Sequence, residues 1–200
     1  MAIKPMLFNT EMTRAILSGQ KTCTRRVLKP QPPATSYVQY QDGIGGIGCG
    51  WAFWEDSDNH WINAPYDPGD ILYVRETWAR LYSADKPQGR YVYKATDEYP
   101  FGESGYIVKF RWFPSIHMPK EAARIFLRVT DVRVERLQDC GNMQAKDEGC
   151  TCCSQFARLW DSTIKPVDLD RYGWAANPWV WVIEFERISK ETALGGDTHG

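Results

Sequence analysis

Gly19-Gln20-Lys21-Thr22-Cys23-Thr24-Arg25-Arg26 is the stretch on which the reading of this chain turns. It follows directly on a helix signal. Asn9 or Thr10 can cap that helix, and Met12, Ala15 and Ile16 share one face at i, i+3, i+4 spacing. Gly19 is a natural residue just past the helix end, because glycine takes the left-handed conformation without a Cβ penalty. Downstream, Pro30, Pro32 and Pro33 force a loop. Taken alone, a lysine and a threonine in such a place read as a solvated link.

Working outward, Asp67-Pro68-Gly69-Asp70 is a turn that launches a strand over Ile71-Leu72-Tyr73-Val74-Arg75-Glu76. Tyr91-Val92-Tyr93-Lys94 reads as a second strand. Arg124 to Glu135 alternates, with Ile125, Leu127 and Val129 on one face and a kink near Asp131 that lets Val132 and Val134 continue. Asn142 to Asp147 reads as a short helix closed by Gly149, and Ser154 is expected to cap another with Phe156, Leu159 and Trp160 inward. Trp179 to Ile188 reads as a closing strand, with Trp181, Ile183 and Phe185 inward and Glu184 and Glu186 outward. This order of elements implies an α+β domain around a curved or closed antiparallel sheet.

The chain has 200 residues, 43% hydrophobic and 24% charged, which suits one domain that folds without a metal or disulfide. Its net charge of −1 excludes binding to nucleic acid by bulk charge and leaves room only for a local basic patch. No apolar run approaches the roughly 20 residues of a membrane span. The start Met1-Ala2-Ile3-Lys4-Pro5 lacks the apolar core of a signal peptide, so a cytoplasmic protein is expected, with its six cysteines as free thiols. Cys150 and Cys153 have one zinc-like spacing, but a second pair is missing and His60, His117 and His199 are not paired, so no metal or other cofactor is expected. Gly43, Gly45 and Gly48 spell G-x-G-x-x-G, yet aromatic residues follow where a dinucleotide site needs a helix. Asp42-Gly43 is better read as a hairpin turn.

The opening stretch resembles the G-x-K-T-x-[ET]-x-R signature of the ASCH domain family, part of the PUA-like superfamily. Further stretches agree in order. Gly69-Asp70-Ile71-Leu72-Tyr73-Val74-Arg75-Glu76-Thr77-Trp78 is similar to the family's G-D-x-L-x-V-R-E strand, and Ile125 to Glu135 to its central strand. Ala145-Lys146-Asp147-Glu148-Gly149 is similar to its A-x-x-E-G helix end, and Trp181-Val182-Ile183-Glu184-Phe185 to its last strand. The expanded form, with V-R-E-T-W and a tryptophan-rich insertion, is similar to ASCH proteins of bacteriophages and prophages. The resemblance implies a PUA-like curved or closed β-barrel with peripheral helices, as a single domain over residues 1–190. Insertions are expected near 36–65 and 95–118, and a disordered tail over 191–200. It further implies an RNA or modified-nucleoside partner. Some members hydrolyse the amide of N4-acylated cytidine, and their catalytic positions match Lys21, Thr24 and Glu148 here. Arg25, Arg26, Arg75, Glu76 and Trp78 are the expected ligand-binding residues. A binding module without chemistry, or a phage protein-interaction module using the tryptophan-rich insertion, are the alternatives.

The chemistry sets its own conditions. A threonine hydroxyl attacks an amide only if a base takes its proton. A lysine serves as that base only with a pKa well below its usual ~10.4, which burial and neighbouring cations favour. Arg25, Arg26 and Arg75 are the candidate cations. An ionised Glu148 in contact would oppose that shift, so its expected task is proton transfer or substrate orientation. Lys21 and Thr24 fall on opposite sides of an extended chain, so the sequence reading expects a turn or bulge after Gly19.

Overall fold

A computed structural model of the chain describes residues 2–33, 36, 38–41, 50–55, 58–83, 86–96 and 111–195. The chain divides into two compact units, and strands and helices are mixed in both. The expected Gly43-Gly45-Gly48 region and most of the second insertion lie outside the described residues.

The first unit comprises 1–19, 71–128 and 187–200. Strand β1 (Ile3–Leu7) enters helix α1 (Thr10–Leu17), where the Asn9 side chain accepts from the Met12 N–H at 2.8 Å. That bond satisfies one of the orphan donors of the first helical turn. Gly19 follows with φ +77°, the left-handed helix exit expected of it. β6 (Ile71–Arg75) runs parallel to β1, Ile3 facing Ile71, and antiparallel to the start of β9 (Phe126–Arg136). β7 (Trp78–Ser83) and β8 (Lys86–Tyr93) form a hairpin, so the second expected strand starts five residues earlier than its apolar core. The unit's core gathers Ile71, Tyr93, Met118, Ala122, Ala123 and Phe126.

The second unit comprises 20–70 and 129–186. Here the sheet order is β9-β10-β2, with β2 at Cys23–Val27 and β10 at Trp179–Ile188. Val180 to Glu184 pair antiparallel with Val27 to Cys23. A second sheet joins β3 (Val38–Gln41), β4 (Gly50–Glu55) and β5 (Asp58–Ile62). It occupies the expected tryptophan-rich insertion. α2 (Asn142–Asp147) and α3 (Cys153–Thr163) pack Ala145, Phe156 and Trp160 against Cys23, Val180 and Val182. The short α4 (Leu169–Tyr172) presents the Tyr172 carbonyl to the Trp160 indole N–H at 2.8 Å.

Three expectations are corrected. No sheet among the described residues closes on itself, so the closed form of the barrel is not observed. Cys152, not Ser154, stands at the start of α3, because the Thr151 N–H and hydroxyl both bind the Gln155 side chain and hold the turn two residues earlier. β9 runs on through the position of the expected kink as one strand, and its buried positions shift there from Leu127 and Val129 to Val132 and Val134, as that reading requires. Residues 190–193 form a helical turn, α5 (Lys190–Ala193), capped by the Ser189 hydroxyl with Ala193 buried, so order extends past 191. Among the described residues no helix is long and apolar enough to cross a membrane.

Candidate functional site

The backbone from Thr22 onward is extended. The Thr22 carbonyl accepts from the Phe185 N–H at 2.9 Å, continuing the ladder of β2 against β10, and the Thr22 N–H donates to the Asp147 carbonyl at 2.9 Å. Lys21 in turn bridges to Glu148. The turn or bulge expected after Gly19 to bring Lys21 and Thr24 together is therefore not found within residues 21–24, whose backbone pairs with Asp147, Glu148 and β10. What turns instead is the far partner: Glu148 ends α2, and Gly149 at φ +81° lets the chain reverse there.

Alternation along β2 then decides who meets whom. Lys21, Cys23 and Arg25 share one side, and all three reach Glu148. The Lys21 Nζ donates to the Glu148 Oε2 at 2.5 Å and to its backbone carbonyl at 3.1 Å. The Arg25 Nη1 donates to Oε1 at 3.2 Å, and the Cys23 Sγ lies 4.0 Å from that oxygen. Lys21 is 2% exposed and Glu148 3%. One carboxylate thus holds two cations away from water, and it stands 127 positions along the chain from the lysine. The amine and the carboxylate are in direct contact, the arrangement in which an ionised Glu148 favours the charged form of Lys21.

The charges continue outward. The Arg25 Nη2 meets the Glu135 Oε2 at 3.3 Å, and Arg133 binds Glu135, Asp131 and Glu184 at 2.6, 2.8 and 2.5 Å. Burial alone would lower the Arg133 pKa; hydrogen bonds to Glu135, Glu184 and Asp131 carry it above its ordinary value. For Arg25, burial again acts downward and is outweighed by Cys23, Glu148, Cys140 and Glu135. Arg26, facing Trp181 across the ladder, has its pKa lowered by burial, against the pull of Tyr66 and Glu148. A cavity of about 630 Å³ opens beside this network, walled by Cys23, Arg25, Arg133, Asn142, Gln144 and Glu184 among others. Its size exceeds that of a nucleoside.

Thr24 is buried, 3% exposed, and faces Ile183 on β10; alternation puts its side chain on the side of β2 away from Cys23 and Arg25. Arg75, Glu76 and Trp78 belong to the first unit. There Arg75 donates to the Met118 and Ile116 carbonyls, and Glu76 is clamped by Arg124 through two bonds of 2.9 and 3.1 Å. Trp78 packs on Tyr91 and Phe113, with its indole N–H buried and unpaired.

The comparisons with known proteins are thin. No family model matches the chain, and no curated protein does. Among solved structures it is similar to the crystal structure of protein EF3133 from Enterococcus faecalis V583, described by the family model DUF984. The two are 12% identical with a TM-score of 0.43, over 94% of this chain and 81% of that one. At that level of likeness nothing about fold or function passes from one to the other.

Sequence reasoning did not single out Asp131, Arg133 or Glu135, and read Cys23 only as packing. The signal was available: Asp131, Arg133 and Glu135 recur at period two between apolar residues, which places three charges on one side of a strand. Burial, reinforced by Glu148 and opposed by Arg25, Lys21 and Arg133, pushes the Cys23 thiol from 9.0 up to about 12. Cys152 goes the other way: the backbone hydrogen bond at Gln155 and the Thr151 hydroxyl lower its pKa. Thiol chemistry follows the thiolate. Limited iodoacetamide treatment at pH 8, read by peptide mass mapping, should therefore label Cys152 well before Cys23 and Cys140. Among the described residues no group of His, Cys, Asp and Glu is placed to hold a metal ion.

The Cys23 shift also sets a pH dependence. The unfolded thiol ionises near 9 while the folded one resists to about 12. The folded state is favoured in full below pH 9 and loses that advantage as pH rises from 9 to 12, where the unfolded chain sheds a proton first. Urea midpoints should fall over that window, and less steeply in Cys23→Ala.

Proposed function

We propose that this chain is an ASCH-type protein of the PUA-like superfamily that binds RNA or a modified nucleoside and hydrolyses the amide of N4-acylated cytidine. The observation that carries this reading is the direct contact of Lys21 with Glu148. The resemblance singles out these two positions, distant in sequence, and the fold joins them at 2.5 Å in a buried place. A buried ion pair adds little to stability, since desolvation costs about as much as attraction returns, so its presence asks for another reason.

In the proposed reaction, ligand entry dries the site and the proton on Lys21 crosses to Glu148. Lys21 then takes a proton from a water that adds to the acyl carbon. The C–N bond breaks, Glu148 gives its proton to the departing N4 amine, and cytidine and a carboxylic acid leave. Arg25 is the cation beside the developing oxyanion. Water is assigned the attack because Thr24 sits on the other side of β2. The test is conversion of N4-acetylcytidine to cytidine, followed by chromatography. Wild-type turnover is expected, and its absence rejects the hydrolase. Thr24→Val, which keeps shape and loses the hydroxyl, should retain turnover; its loss, with the fold intact, would return the nucleophile to Thr24.

A second reading is binding without chemistry. It is favoured by the position of Cys23 and Arg25, which wall the 630 Å³ cavity while Lys21 and Glu148 stand behind them. Cytidine or a short RNA retained by a protein without turnover, and released by Arg25 replacement, would select it.

A further inference from the structure

The second unit contains a larger cavity, of about 850 Å³, that the proposed reaction does not use. Its walls include Tyr40, Trp51 and Tyr66 with the carboxylates of Asp67 and Asp131. Tyr40 on β3 faces Trp51 on β4 across the ladder, which puts both rings on the same side of that sheet. Their centroids are 5.6 Å apart and their planes meet at 70°, so they form a corner and not a parallel slot. Trp51 also meets Trp181 in an edge-on contact with centroids 6.4 Å apart, while Tyr40 is 47% exposed.

Charge narrows the occupant. Arg133 is a lining cation, and it is surrounded by Asp131, Glu135 and Glu184 at 2.5 to 2.8 Å. Among the lining side chains Asp67 and Asp131 stand against the single cation Arg133, so the wall carries a net negative charge. Arg26 lies beside Tyr66 but is not part of the lining. A phosphate or carboxylate would be repelled here. A flat base is not sandwiched between Tyr40 and Trp51, because their planes meet at 70°. A rounded cation fits both features, because aromatic faces carry negative potential and two of them at a corner contact one charge together.

We propose that this cavity binds an alkylated ammonium group, held against Tyr40, Trp51 and Tyr66 and neutralised by Asp67 and Asp131. The site is separate from the Lys21–Glu148 pair, and the proposal does not depend on the function assigned to that pair. Such a group occurs on free small cations and on methylated lysine side chains.

The test is calorimetric titration with choline and with 3,3-dimethylbutan-1-ol, its uncharged carbon isostere of nearly the same shape. Choline should bind about tenfold more tightly than the isostere. Tyr40→Ala and Asp131→Asn should each weaken choline binding several-fold and leave the melting temperature near wild type, since both side chains are about half exposed. Raised salt should weaken choline and not the isostere. A trimethyllysine peptide that binds more tightly than choline assigns the ammonium to a modified protein tail; parity assigns it to a free cation. Equal binding of choline and isostere, unchanged affinity in both variants, or no choline binding at millimolar concentration would each overturn the proposal.

Discussion

Replacing Glu148 with alanine should lower the unfolding free energy by about 3–5 kcal/mol, the usual cost of removing one partner from a buried ion pair. The reason is local. Lys21 and Arg25 both have side chains at 0% exposure, and both point at the carboxylate that would be lost. Arg25 keeps Glu135, but the Lys21 ammonium loses the carboxylate it touches at 2.5 Å. Equilibrium urea denaturation reads the loss directly. Glu148→Gln, which keeps the shape and a hydrogen-bond acceptor, should fall between alanine and wild type. The informative comparison is the triple change Lys21→Met, Arg25→Met and Glu148→Leu. It removes these three charges at once, while Glu135, which loses Arg25, keeps Arg133, so no unpaired buried ion is left and stability should return to near the wild-type level or above it. A triple variant as unstable as Glu148→Ala would mean that the cluster is itself a main support of the fold, and the argument for a functional role would lose its base.

The same cluster sets the second large effect. Lys21→Met should lower kcat/KM for N4-acetylcytidine by about 10²–10⁴, the range that a positioned acid–base group contributes. Methionine matches much of the lysine stem and removes the ammonium, though Glu148 then keeps only Arg25 as a partner. Melting temperature and near-ultraviolet circular dichroism therefore have to accompany the rates. The triple variant separates the two causes: folded as well as the wild type, it should be as inactive as Lys21→Met. Turnover that persists in a folded triple variant would show that the chemistry lies elsewhere, whatever the ligand.

Much of the fold could be read from residue order, and the reasons differ by element. The first helix announced both ends, through Asn9 as an acceptor for the Met12 N–H and Gly19 at a positive φ. The last strand was legible because a run of β-branched and aromatic residues, Trp179 to Ile183, passes into the alternation Ile183-Glu184-Phe185-Glu186. β1 was missed. Ile3-Lys4-Pro5-Met6-Leu7 has a proline at its centre and no clean alternation, and it is a strand because β6 lies alongside. β2 carries no strand signal in the sequence. Its polar run Cys23-Thr24-Arg25-Arg26 has little strand character on its own, and only the apolar ladder of β10 gives it partners. The start of α3 was misplaced by two residues, because a side-chain contact between Thr151 and Gln155 outweighed the serine that local preference would choose.

The candidate site divides along the same line. Which residue types stand at 21, 23, 25 and 148, and that a glycine follows the glutamate, were determined by the sequence by itself, because turn and cap preferences act over a few residues. That Lys21, Cys23 and Arg25 share one side was implicit in period-two alternation, once the segment was known to be extended. Tertiary structure alone decided that it is extended, since the hydrogen bonds that hold it come from Asp147 and Phe185. Tertiary structure alone also brought the glutamate onto the lysine. An ion pair between groups so far apart in sequence has no local signature: it forms only where packing of apolar surfaces, at Ala145, Phe156 and Val182, has already fixed both backbones and excluded the water that would otherwise keep the charges apart.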